Sequence, residues 1–195
     1  MFSLFKRRIK IDELASYLIE LNVFSKKHEE LLRASLGDDT QLDRKRVLEE
    51  MQWLSAFSVD FFTWWILGET DRTRAVLDSF YSKLKPVVYG RGCSPTPDRT
   101  WVLGHTWLPT NEKFEARAGV GTDPYENLKE RFALYTEALR TGKPHSQEIN
   151  HFQVGFTFAK LCGTIDILAV QLGQNLLLTN LKQLKWLFNT FKIVR

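Results

Sequence analysis

The sequence predicts an all-α fold: a single-domain bundle of six or seven helices with one long irregular loop at about residues 86–123. Three observations lead there. Apolar residues recur at helical spacing through most of the 195 residues, stop and start residues fall where that spacing ends, and no strand-like alternation of any length interrupts it. A chain of this length builds one well-buried core, so residues 1–195 read as one helical domain with a basic N-terminal arm over 1–10.

Ile11, Leu14, Ala15, Leu18 and Ile19 mark one face of a first helix ending near Asn22. Ser25 is a suitable N-cap for a second, with Glu29 and Glu30 in its first turn, Leu31, Leu32 and Leu36 on its apolar side and Gly37 as its stop. Asp39 or Thr40 then opens a long helix to Leu67, closed by Gly68. Its apolar side spreads over more than half the circumference, and Glu49, Ala56, Asp60 and Thr63 form the remaining strip, which predicts an exposed or half-exposed Asp60. Thr70 or Asp71 caps a fourth helix that stops before Pro86. Asp123 before Pro124 is a strong helix start, with the end near Thr141 and Gly142. Ser146 opens an apolar helix expected to reach Leu172, Gly173 is expected to break it, and a last helix runs from about Asn175 to Lys192.

Net charge is +4, with 27 basic and 23 acidic residues, but its placement says more. Residues 1–10 hold Lys6, Arg7, Arg8 and Lys10, residues 167–195 hold Lys182, Lys185, Lys192 and Arg195, and neither stretch holds an acid, which leaves 19 basic against 23 acidic between them. If the two ends lie together they form one basic patch suited to an anionic surface. Phe2, Leu4 and Phe5 precede those N-terminal cations, a combination that suits a membrane surface.

Cys93 and Cys162 form no metal-ligand spacing, and no apolar core of signal-peptide length follows the basic N-terminus, so a reducing cytoplasmic location is the expectation. No segment reads as transmembrane. The uncharged run Ile167–Leu181 contains Gln171, Gln174, Asn175 and Asn180 and falls short of the roughly 20 apolar residues a span needs.

Candidate chemistry is sparse. On a continuous helix Asp166 shares a stripe with Gly155, Ala159, Cys162, Ala169 and Gly173, which would desolvate a carboxylate where two helices approach closely. Arg91 between two glycines, with Trp101, His105 and Trp107, offers an anion cradle with aromatic walls in the long loop. His145, Glu148 and His151 place three potential metal ligands at i, i+3 and i+6, although the second Glu-x-x-His pair of a di-iron site is missing. No motif specifies a cofactor, and no helix-turn-helix, zinc or single-strand pattern points to nucleic acid.

The leading expectation is therefore a helical binding or interaction protein, non-enzymatic, acting through a protein partner or as a homo-oligomer. It rests on the lack of a convergent catalytic constellation and on wide apolar arcs over Trp53–Trp65 and Leu176–Phe191. The alternative is a small-molecule- or metal-binding helical enzyme with a pocket between helix 146–172 and loop 86–123.

Overall fold

A central helix, Arg44–Leu67, organises the molecule. The computed structural model describes residues 7–23, 26–36, 42–88, 124–140 and 149–194. Among these the fold is all-α, with seven helices: α1 Ile11–Leu18, continued by a π-helical segment Ile19–Val23, α2 Lys27–Leu36, α3 Arg44–Leu67, α4 Asp71–Val88, α5 Pro124–Arg140, α6 His151–Leu161 and α7 Ile167–Thr190. Two short strands, β1 Arg7–Lys10 and β2 Phe191–Val194, complete it.

α3 packs against α2, α4, α5, α6, α7 and the π-helical segment. So surrounded, it buries residues all round its middle turns, and Ala56, Asp60 and Thr63 are buried rather than exposed. The sequence shows an apolar arc but not how many helices surround it. Asp60 is accommodated by Tyr81 of α4, whose hydroxyl donates to Oδ2 at 2.5 Å. α3 starts later than expected, at Asp43, whose carboxylate accepts from the amides of Lys45 and Arg46. It ends at Gly68, which takes φ +70° and donates to the Trp64 carbonyl, as the sequence predicts. α4 runs on to Val88, past the expected stop at Pro86.

The apolar run expected as one helix over 146–172 is two antiparallel helices. α6 closes in a Schellman motif: Gly163, at φ +84°, donates to the Lys160 carbonyl and Thr164 donates to that of Ala159. Arg46 of α3 lies over this turn and donates from Nε to the Leu161 carbonyl at 2.9 Å, a cation against the negative end of α6. Asp166 then opens α7 as its N-cap, accepting from the Leu168 amide at 2.8 Å. Gly173, far from breaking a helix, lies inside α7.

The glycines of the predicted stripe do serve close approach, but between these two helices. A Cβ at Gly155 would overlap the Val170 carbonyl, and one at Gly173 would come 2.8 Å from Cβ of Phe158.

The two short strands are not visible as alternation in the sequence. β1 runs straight into α1, β2 runs straight out of α7, and the two pair in parallel with Arg7 beside Phe191, Arg8 beside Lys192, Ile9 beside Ile193 and Lys10 beside Val194. A lone two-stranded pair is marginal in water. This one is fastened by Ile9 and Ile193, both buried in the main core.

Candidate functional site

The strand pair brings together the two basic ends noted in the sequence. Side chains alternate across a strand. With Ile9 and Ile193 facing inward, Arg8, Lys10 and Lys192 fall on the opposite, exposed face, and Arg8 stands in register with Lys192. Arg7 is exposed as well. The two strands hold four cations and no acid, and among the described residues no ion pair engages any of these four.

Two exposed tryptophans contact β2 and α7. Trp186, 55% exposed, packs edge-on against Phe191 of β2 with ring centroids 6.3 Å apart, and Trp65, 42% exposed, lies under the Lys185 ammonium at 5.3 Å. Beside them a groove of about 680 Å³ runs between the start of α4 and β2, walled by Leu67, Ala75, Ile193 and Val194 with Asp71, Arg72 and Lys192 among its polar residues. An exposed cationic face can hold an anionic surface by charge, and exposed indoles can anchor at its interface.

The residues singled out by sequence fare differently. Asp166 is an exposed helix cap rather than a desolvated acid between helices, because the chain turns at Gly163 before reaching it. His151 is the exposed first residue of α6, whose cap is Asn150. His145, Glu148, Arg91, Trp101, His105 and Trp107 lie outside the described residues, as does the loop side of the expected pocket. Among the described residues no group of three or more His, Cys, Asp or Glu is placed to hold a metal, and no helix is long and apolar enough to cross a membrane.

Sequence reasoning missed the buried polar groups of α3. Glu50 is 2% exposed, and its carboxylate accepts from Arg131 Nε at 2.8 Å and from the Tyr135 hydroxyl at 2.7 Å, both on α5. Burial pushes its carboxyl above the ordinary glutamate range despite the Arg131 charge. Tyr135 is pushed up by burial and by the neighbouring carboxylate. Cys162 lies near enough to feel Glu50, and burial holds its thiol protonated, so it is a small core residue rather than a nucleophile. With its acceptors met on both sides, Glu50 joins α3 to α5. A heptad-like reading of α3 gives no sign of this, because a glutamate beside Glu49 looks like one more solvated acid.

The arrangement defines a class in structural terms: a helical bundle whose chain ends are tied by a parallel strand pair into a cationic surface with exposed aromatic neighbours. No protein-family model, no curated protein and no solved structure matches this chain.

Proposed function

We propose that this is a non-enzymatic helical binding protein that docks through its basic end onto an anionic membrane surface. The observation that carries the reading is the parallel pairing of Arg7–Lys10 with Phe191–Val194, which sets Arg8 beside Lys192 on one exposed face. Like charges in register destabilise a strand pair, so a set of cations with no acid among them is better explained by an external anion than by folding. Phe2, Leu4, Phe5 and Lys6 immediately precede β1 in the sequence and add apolar and basic groups of the kind that interfacial anchors use.

Sedimentation with vesicles tests this. Phosphatidylserine-containing vesicles should bring the protein down, with a blue shift of tryptophan fluorescence as Trp65 or Trp186 leaves water, and added salt should release it. Equal binding to pure phosphatidylcholine, or no binding to either, refutes the reading.

A second reading, a protein partner or self-association, is favoured by one feature elsewhere. At the α6–α7 turn Ile165, Ile167 and Leu168 are 75%, 57% and 40% exposed, an apolar cluster that a partner surface would cover. Native mass spectrometry tests it: a dimer that Ile165→Asp and Ile167→Asp dissociate supports it, and a monomer indifferent to them does not.

A further inference from the structure

β2 leaves one edge open. Among the described residues the sheet has two strands in the order β1–β2, so β2 pairs with β1 along one edge and no strand lies beyond the other. The groove of about 680 Å³ runs along that outer edge. Lys192, Ile193 and Val194 all line it, although Ile193 points into the core and Lys192 points the opposite way. Consecutive residues whose side chains face opposite ways have only their backbone edge in common. Among the described residues none of β1 lines the groove, so the surface offered here is the unpaired side of β2.

The opposite wall is the end of α3 and the first turns of α4, at Leu67, Arg72 and Ala75. A groove between a strand edge and a helix, in the size range of ligand sites, suits an extended segment. The edge supplies backbone donors and acceptors, and successive side chains of an added strand turn to opposite faces. On the inner face they would meet Leu67, Ala75 and Ile193, which selects apolar residues. On the outer face they would stand beside Lys192, with Arg8 one strand further on at about 10 Å, which selects acids. Asp71 is the one acid among the described lining residues, against Arg72 and Lys192. A second copy of this edge is a poor occupant, since it would set Lys192 against further cations.

We propose that this edge binds an extended acidic peptide, one that alternates acidic and apolar residues and adds as a third strand beside β2. Its backbone pairs with residues 192–194, its apolar side chains lie against Leu67 and Ala75, and its carboxylates lie beside Lys192. The edge is distinct from the outward face assigned above to the membrane, although Lys192 borders both.

The test is ¹H–¹⁵N NMR titration of the full chain with short end-blocked peptides. A peptide alternating glutamate with valine should give saturable shifts at the amides of Ala75, Lys192, Ile193 and Val194. Its lysine–valine counterpart should bind at least about tenfold more weakly, because acid–cation pairs become like-charge pairs. A strand added at an edge pairs through only one of its own edges, so N-methylation of the valines and N-methylation of the glutamates should differ. One should weaken binding at least about tenfold and the other leave it within about threefold. Ala75→Phe, at a half-buried position on the groove wall, should weaken the glutamate–valine peptide at least about tenfold, with the fold checked by its circular-dichroism melt. No saturable shift, equal affinity for the lysine peptide, or two methylated peptides that behave alike overturns the proposal, as does a folded Ala75→Phe protein that binds as wild type. Peptide titration reads the edge and vesicle sedimentation reads the cationic face, so failure of either leaves the other standing.

Discussion

Replacing Arg8 and Lys192 by glutamine separates a functional from a structural purpose for the basic end, because the two purposes predict opposite signs. Adjacent strands lie about 4.8 Å apart. Two unit charges at about 5 Å repel by about 0.8 kcal/mol in water, and less once salt screens them. Both side chains are exposed, and the apolar fastening of the strands comes from Ile9 and Ile193 on the other face. Either single substitution should therefore leave stability unchanged or raise it by a few tenths of a kcal/mol, a rise in Tm of no more than about 3 °C for a chain of this size. Binding should move the other way. Each cation near an anionic bilayer contributes about 1 kcal/mol, so Arg8→Gln or Lys192→Gln should cost about fivefold and the double variant about thirtyfold. Thermal unfolding by circular dichroism and vesicle co-sedimentation at low salt read the two quantities on the same preparations. A double variant that binds within about threefold of wild type, or single variants that melt several degrees lower, would show that these cations hold the strands together rather than a partner.

Other consequences follow from the packing. Gly155→Ala should destabilise by about 1–3 kcal/mol, since the new Cβ meets the Val170 backbone carbonyl and the helices must part, an overpacking cost larger than the gain in helix propensity. Gly173→Ala should cost a similar amount, because it would meet Cβ of the fully buried Phe158, which no rotamer change moves, and a melting temperature equal to wild type would contradict this. Glu50 is easier to protonate folded than unfolded, so the stability it contributes is fully present below the ordinary glutamate value of 4.5 and is lost as pH rises through its raised folded value. Urea unfolding at a series of pH values should thus show wild type losing ground to Glu50→Gln across that window, and a difference that is flat or of opposite slope would count against the buried-acid description. Asp166→Ala should cost about 1 kcal/mol through loss of the α7 cap, with vesicle binding unchanged, and a loss of binding at full stability would return Asp166 to the list of site residues.

Features written in a few neighbouring residues were legible in the sequence: Gly68 as a stop, Thr70 as the cap of α4, Pro124 as the first residue of α5. The break at Gly163 was also locally encoded, by a glycine followed three positions later by the capping Asp166. It was masked because the apolar period carries on through the turn, and it does so for a physical reason. α6 and α7 bury their small-residue faces against each other, so both need the same stripe. The strands were illegible because four residues are too few to show a period of two, and because their pairing joins opposite ends of the chain. Charge segregation could be read, but that the two basic ends meet is a fact of topology.

The polar residues inside α3 suggest how one helix selects its neighbours. Glu50, Ser55 and Asp60 are spaced by five residues, which at about 100° per residue turns each roughly 140° from the last, so together they point to three sides of the helix. Each meets a different partner: Glu50 meets Arg131 and Tyr135 of α5, Ser55 meets Asn180 of α7 and His28 of α2, and Asp60 meets Tyr81 of α4. Phe57, Phe61 and Phe62 pack equally well against many apolar surfaces, whereas a buried carboxylate tolerates only a neighbour that donates to it. On this account the polar residues specify which helix lies on which side, and the aromatic ones supply the burial. The Asp60–Tyr81 contact allows a direct test, because Asp60→Leu alone and Tyr81→Phe alone each remove a buried hydrogen bond and should cost about 1–3 kcal/mol. In the double variant no partner of this pair is left unpaired, so much of the loss should be recovered if the contact selects rather than stabilises. A double variant whose loss equals the sum of the two single ones would show instead that Asp60 and Tyr81 stabilise independently, and the specification would have to come from the shapes of the apolar side chains.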